Sequence, residues 1–414
     1  MEKSVSLVSA VMILSLMSGC ISSDEGNEDS HAINWEKYSL DEGGIFSTHP
    51  LQYSMDMEFI PNSNKIVISE WPQNEVDPPV ISTWIIYEGV MERLGYGSLV
   101  ERGDVIYSGG SQCGIKLAIE PDNDASLLVF RCMSNTSVTI EKYELDIDGV
   151  LKPESREILA TFDTGNRWGS FEHLVGEIEF GSEGFLWVFV GYGNMDNTSQ
   201  DPMSPFGSVL RMELGGSGLV PAPNNPAENN SSWHPMVYSK GLRMPWTAAQ
   251  DQSGNWWVGE VGEFQFERIQ VIRRGGQNFG YFKHVWIDET DENCSSCDDL
   301  DVPVLTYTRD NNHSFMIEDE DSHESFFAAI WVGEQLPNTS NIPSNFSNKI
   351  IFGDFTRGFV RLANNDATGN SEHIGHLVGV VDIEIYDGEV YALTTGVQVS
   401  QDNRDPGFWR MGFD

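Results

Sequence analysis

The sequence predicts an all-β chain, a six-bladed β-propeller of four-stranded antiparallel blades. Three observations carry this reading. First, from about Trp35 to the C-terminus there is no long helical periodicity. Short β-rich runs recur instead, at 65–70, 81–87, 126–131, 138–145, 184–190, 255–260, 349–353 and 389–394, parted by Gly, Asn, Asp and Pro. Second, one unit returns, a tight turn followed by an aromatic-aliphatic strand. It is seen in Ser182-Glu183-Gly184-Phe185-Leu186-Trp187-Val188, Gln252-Ser253-Gly254-Asn255-Trp256-Trp257-Val258 and Tyr386-Asp387-Gly388-Glu389-Val390-Tyr391-Ala392. Third, the unit is spaced by roughly seventy residues or a multiple of it, so residues 35–414 supply about six blades. A pair of β-sandwiches is the competing architecture. It predicts no recurrence of one turn-strand signature.

The first nineteen residues read as an export signal. Lys3 precedes a mostly apolar run from Val5 to Met17 that is too short for a membrane span. The run ends Leu16-Met17-Ser18-Gly19-Cys20, small residues directly before a cysteine. That ending resembles a lipobox, with cleavage before Cys20 and lipid on its thiol. The alternative is an ordinary secretory signal with a fortuitous cysteine; either places the protein outside the cytoplasm, and the first attaches it to a membrane by its lipid alone. Residues 20–34 form an acidic tether with too little apolar surface to fold, and the propeller occupies 35–414.

With Cys20 set aside, four cysteines remain: Cys113, Cys132, Cys294 and Cys297. An even remainder in an exported chain predicts two disulfides. Cys113 and Cys132 lie at the ends of two strand-like runs, and Cys294-Ser295-Ser296-Cys297 would close a small loop. A redox pair or half a zinc site is the alternative for the CxxC, but it has no second CxxC and no strand-helix setting. Eight Asn-x-Ser/Thr triplets, among them Asn229 and Asn338, fit a glycosylated surface.

Charge removes other functions. The chain carries 24 Lys and Arg against 63 Asp and Glu, a net charge of −39. Nucleic-acid binding rests on basic residues that neutralise phosphate, so no nucleic-acid partner is expected. The 40% hydrophobic and 11% aromatic content supplies a core, so the acidic residues belong to tether, turns and loops. No Gly-rich phosphate loop, G-x-S-x-G elbow or HExxH occurs, which excludes the commoner nucleotide-dependent, serine-hydrolase and zinc-protease chemistries. The acidic stretches 288–301 and 318–321 lack the calcium-loop pattern D-x-[DN]-x-[DN]-G and read as solvated loops.

Several motifs stand in a fixed order. They are His173-Leu174-Val175-Gly176-Glu177-Ile178-Glu179-Phe180, Phe206-Gly207-Ser208-Val209-Leu210-Arg211, Gly241-Leu242-Arg243-Met244-Pro245 and Trp257-Val258-Gly259-Glu260-Val261-Gly262. Phe266-Glu267-Arg268-Ile269, Gly275-Gly276-Gln277-Asn278-Phe279-Gly280-Tyr281, Phe352-Gly353-Asp354-Phe355-Thr356-Arg357-Gly358 and Gly388-Glu389-Val390-Tyr391 follow. This series resembles the glucose/sorbosone dehydrogenase family over nearly all of the chain after the tether.

The resemblance implies a six-bladed propeller that oxidises the C1 hydroxyl of an aldose, or a related alcohol, with pyrroloquinoline quinone and calcium. It implies that His173 is the general base, a role suited to a neutral imidazole. Arg243 would face a carboxylate or carbonyl of the quinone, and Arg357 would add a second positive charge. Gly262 and Glu263 would offer carbonyl oxygens to calcium, a hard cation. Read without the resemblance, His173 is a hydrogen-bonded turn histidine, Arg243 a structural arginine, and Glu260 and Glu267 either bind calcium or cap a blade edge.

The chain departs from the family where quinone-binding members carry R-x-R-D in the last blade. Here the residues are Gly379-Val380-Val381-Asp382, and Met244 stands where Asn is usual. The departures support a second reading, a catalytically silent propeller that binds a glycan or a surface protein through its loops.

Overall fold

The computed structural model describes residues 32–41, 51–71, 79–99, 114–134, 137–164, 173–193, 195, 198–216, 218–263, 266–281, 299–308, 328–366, 371–396 and 405–413. The export signal, Cys20, the tether up to residue 31, Cys113, Cys294, Cys297 and most of the two acidic stretches lie outside the described residues.

The described chain is nearly all β. It opens with β1 (Ile33–Lys37) and β2 (Ser39–Asp41). Six blades follow in order. The first is β3 (Ser54–Phe59), β4 (Lys65–Glu70), β5 (Val80–Tyr87) and β6 (Val90–Ser98). The second is β7 (Ile115–Glu120), β8 (Asn123–Ser134), β9 (Ser137–Leu145) and β10 (Leu151–Asp163). The third is β11 (Val175–Phe180), β12 (Leu186–Val190), β13 (Ser208–Gly215) and β14 (Gly218–Pro221), with β15 (Val237–Lys240) also paired to β13. The fourth is β16 (Pro245–Gln250), β17 (Trp256–Glu260), β18 (Phe266–Ile272) and β19 (Leu305–Thr308). The fifth is β20 (Ile330–Gln335), β21 (Ile350–Asp354), β22 (Phe359–Ala363) and β23 (Ser371–His376). The sixth is β24 (Val380–Tyr386), β25 (Glu389–Thr394), β26 (Gly407–Phe413) and, as its outermost strand, β1. All eight runs read from the sequence are strands, and the recurring signature is the hairpin that joins the first two strands of a blade. The architecture is the expected six-bladed propeller.

Two features close the ring. β1 pairs antiparallel with β26 from Ile33↔Phe413 to Lys37↔Trp409, so the last blade takes its fourth strand from the start of the fold. After one residue, β2 pairs in parallel with β6 of the first blade. A nine-residue segment therefore joins the last blade to the first.

Adjacent blades pack through large apolar side chains. Trp256 is fully buried, with ring centroids 5.4 Å from Trp187 and 5.2 Å from Phe189 across the third and fourth blades. Burying such a ring stabilises by about 2–3 kcal/mol. The first strands of the six blades, β3, β7, β11, β16, β20 and β24, touch one another in a closed circle around the axis. Antiparallel alternation places the entry into each first strand, and the turn from second to third strand, at the same end of the propeller. His173, Arg243, Gly262, Glu263 and Arg357 all stand at that end.

Candidate functional site

His173 enters the first strand of the third blade, two residues before β11. Its backbone is left-handed, with φ +64°, which is uncommon outside glycine. Two glycines hold it there. The Gly193 amide donates to the His173 carbonyl at 2.9 Å. Gly191 lies so close that a Cβ on it would sit 2.0 Å from the same oxygen.

Arg243 enters the first strand of the next blade. Its carbonyl accepts the Tyr192 amide at 2.9 Å, which ties it to the chain just beyond β12. Its own amide donates to Glu260 Oε1 at 2.8 Å, and Glu260 is 1% exposed. Glu260 Oε2 in turn takes Gln270 Nε2 at 2.8 Å and faces Arg268 Nε at 3.2 Å. The guanidinium of Arg243 donates through Nη1 to the Val261 carbonyl at 2.9 Å and lies 5.7 Å from the centre of the Tyr192 ring. Nη2 stands 3.3 Å from His173 Nε2. A guanidinium has only donors and stays protonated, so Nε2 is the acceptor, and the imidazole is neutral with its proton on Nδ1.

Gly262 and Glu263 follow β17 beside this pair. A Cβ on Gly262 would lie 1.6 Å from the Phe266 carbonyl, so only glycine fits. Its amide donates to Glu267 Oε2 at 3.3 Å. Glu263 Oε2 accepts the Tyr281 hydroxyl at 3.2 Å. Tyr281 packs edge-on against Tyr192 with centroids 5.0 Å apart. Burial, and then the neighbouring Tyr192, push the Tyr281 hydroxyl far above its ordinary pKa, so it is a fixed donor.

The structure thus brings together His173, Arg243, Gly262 and Glu263. Arg357 sits on the loop after β21. Its guanidinium lies 5.6 Å from the Tyr307 ring centre, its amide donates to Asp354 Oδ1 at 2.7 Å, and its carbonyl accepts His376 Nε2 at 2.8 Å. Asp354 also takes the Tyr307 hydroxyl at 2.5 Å and the Ala329 amide, which makes it the organiser of that loop. Gly379 is left-handed, with φ +81°, and bridges Phe355 and Thr395 by its amide and carbonyl. Val381 is 3% exposed in the apolar core of the sixth blade. No group of three or more His, Cys, Asp and Glu side chains is arranged to hold a metal among the described residues.

Sequence reasoning passed over Tyr192 and Tyr281, and also the carboxylates of the central axis. Asp56-x-Glu58, Glu177-x-Glu179 and Asp382-x-Glu384 repeat an acidic residue at every second position of otherwise apolar first strands. That alternation is a readable sign of an acidic face.

The fold and the site define a six-bladed propeller whose loop-bearing end carries a buried arginine paired with a half-buried histidine. A family model described as Glucose / Sorbosone dehydrogenase matches residues 99–329, more than half of the chain, and the chain belongs to that family. Among solved structures, the fold is similar to the PQQ-bound form of aldose sugar dehydrogenase from Streptomyces coelicolor. That likeness has a TM-score of 0.66 and 15% identity over 93% of this chain and 99% of the other. It is also similar to the apo form of the soluble aldose sugar dehydrogenase from Escherichia coli, with a TM-score of 0.64 and 16% identity over 92% and 100%. The HIPL1 protein of Arabidopsis thaliana is 27% identical over 129 residues, which cover 26% of this chain and 18% of that protein. The chain therefore spans under a fifth of that relative's length.

Proposed function

We propose that this protein is a sugar or alcohol dehydrogenase that oxidises an aldose at its C1 hydroxyl, with pyrroloquinoline quinone and calcium at the loop-bearing end of the propeller. The observation that carries the reading is Arg243 Nε. It is buried and has no hydrogen-bond partner among the described residues, beside a histidine held neutral. A buried guanidinium donor left open fits an oxygen acceptor, as the carboxylates and carbonyls of the quinone would provide. Arg243 would hold the quinone edge, and Gly262 and Glu263 would supply oxygens to calcium. The quinone, when bound, supplies the hydride-accepting chemistry.

His173 is the base in this reading. Its Nε2 lone pair points at Arg243, so a proton arriving there turns an acceptor into a donor and breaks the contact. The arginine is then released from the histidine in step with proton uptake. Glu263 and Tyr281 are held to each other beside the pair, through Tyr192.

The same proposal places the protein outside the cytoplasm on a lipid at Cys20, with disulfides Cys113–Cys132 and Cys294–Cys297. That Cys132 is disulfide-bonded supports the first pairing. No helix among the described residues is long and apolar enough to cross a membrane.

A second reading rests on Gly379 and Val381. A left-handed glycine and a core valine leave that stretch of the last blade without a cation, which favours a silent propeller that binds a glycan or a surface protein. One experiment separates the two. The purified protein is titrated with the quinone and calcium, cofactor absorbance is followed, and dye reduction is measured across aldoses. Micromolar binding with turnover that His173→Ala abolishes supports the dehydrogenase. Absence of binding in that range selects the silent propeller.

A further inference from the structure

Glu260 ends β17 on the face of the fourth blade that meets the third. Trp256 and Val258, at alternate positions before it, pack there with Trp187, Phe189 and Leu242. A carboxylate that continues this apolar stripe, itself buried, is costly unless it is paired and hydrogen-bonded. Across the ladder it stands opposite Arg268 and diagonal to Gln270, both on β18 and both buried.

The two oxygens of Glu260 are used differently. Oε2 takes Gln270 Nε2 at 2.8 Å and faces Arg268 Nε at 3.2 Å. Nε and Nη2 of Arg268 make no hydrogen bond among the described residues, so Arg268 supplies Glu260 with charge rather than a directed bond. Oε1 is committed to the Arg243 amide at 2.8 Å.

That amide lies where the ladder gives it no backbone acceptor. Pairing of β16 with β17 starts at Pro245↔Glu260, and Arg243 stands two residues outside it. The Arg243 carbonyl is taken from the third blade by the Tyr192 amide at 2.9 Å. The backbone of Arg243 is therefore held on one side by a main-chain bond and on the other by a side chain. From that anchored backbone the guanidinium reaches the Val261 carbonyl at 2.9 Å and His173 Nε2 at 3.3 Å.

We infer that Glu260 is a positioning residue of the site. By accepting the Arg243 amide it fixes the guanidinium against His173, and Arg268 keeps that acceptor ionised within an apolar seam. The inference deepens the dehydrogenase reading and rests on it for the role of His173 as base. It makes the proton position on His173 depend on a carboxylate that does not touch the histidine.

Removing one member of a buried ion pair strands the other, whereas replacing both is far gentler. The test therefore uses the whole chain, free of ligand, in two double variants. Glu260→Gln with Arg268→Met removes both charges and keeps a side-chain carbonyl for the Arg243 amide. Glu260→Leu with Arg268→Met removes the charges and the acceptor. ¹⁵N NMR of histidine-labelled protein near pH 7 follows His173, assigned by the signal that His173→Ala lacks. The wild type and the Gln double variant should show the Nδ1–H signature. The Leu double variant should shift the tautomer ratio by about tenfold toward Nε2–H, the equivalent of one hydrogen bond. A purely structural Glu260 would lower stability and leave His173 alike in both variants, and that result overturns the inference.

A second measurement needs no variant. In wild type labelled with ¹⁵N-arginine, the Arg243 amide proton should lie downfield and exchange about 10²-fold or more slowly than an open amide, since its acceptor is a buried carboxylate. Exchange at the open rate overturns the inference whether or not the variants fold. Both measurements are made without the quinone, so their failure is distinct from a failure of quinone binding.

Discussion

Arg243 donates to the Nε2 atom of His173 across 3.3 Å, and this contact determines which nitrogen of the histidine carries its proton. The predicted tautomer, neutral with hydrogen on Nδ1, is observable by ¹⁵N NMR of histidine-labelled protein. We expect a Nδ1–H signature in the wild type near pH 7. Arg243→Met should remove the preference. In the proposed reaction His173→Ala should slow sugar oxidation about 10²–10⁴-fold, the usual contribution of a positioned base. Full retention of turnover would remove His173 from the role.

Gly191 supports the strained histidine from below. A methyl group there meets the His173 carbonyl at 2.0 Å, and neither backbone can yield without breaking the Gly193 bond. Gly191→Ala should destabilise by about 2–3 kcal/mol, in the range of overpacked cores, and should weaken quinone binding together with stability. Gly184→Ala is the comparison. It has a left-handed φ of +80° but open space around its Cβ, so it should lose only the backbone term of about 1 kcal/mol and leave the site intact.

These two glycines show what could be read in advance. The blades were legible because each hairpin repeats a Gly turn before an aromatic-aliphatic strand, a local pattern with a fixed period. The pairing of His173 with Arg243 was legible only through motif order, since seventy residues separate them and no local rule brings them together. Tyr192 carried no signal, and Tyr281 stood in a motif with no role attached to it, because a buried tyrosine on a loop reads the same as a core tyrosine. The roles of Gly379 and Val381 were half legible. The missing arginines were plain in the sequence, but the burial of Val381 depends on packing against strands far along the chain.

Lys116 fastens three blades, with Nζ 2.6 Å from Asp56 and 2.8 Å from Glu177. Burial alone would lower its pKa, but Asp56 and Glu177 raise it well above the usual lysine value, so its stabilisation is fully present below about pH 10 and is lost only above that. Lys116→Met leaves two buried carboxylates without a cation. The cost should be about 3–5 kcal/mol at pH 8, the usual price of breaking a buried pair. It should shrink at pH 5, because burial raises both Asp56 and Glu177 and Lys116 opposes that rise, so without the lysine both carboxyls take up protons more readily. Denaturant unfolding of the variant at the two pH values checks this. An equal loss at both would mean that packing of the lysine stem, rather than its charge, holds the blades.

The closure of the ring gives the last prediction. β1 supplies the fourth strand of the sixth blade through five residue pairs, and Arg410 reinforces it by meeting Glu36 at 2.6 Å. Ile33 and Tyr38, 3% and 4% exposed, bury their side chains in the core it covers. Each is worth about 2–3 kcal/mol, so a chain that starts after Asp41 should lose on the order of 5 kcal/mol and expose β26 as an open edge. The unfolding midpoint should fall, and self-association should rise. A synthetic peptide of residues 32–41 added to the shortened chain should restore stability in proportion to the logarithm of its concentration, because a strand that binds only the folded state stabilises by mass action. A shortened chain with wild-type stability, or one indifferent to the peptide, would show that the ring is held at the axis and not by its borrowed strand.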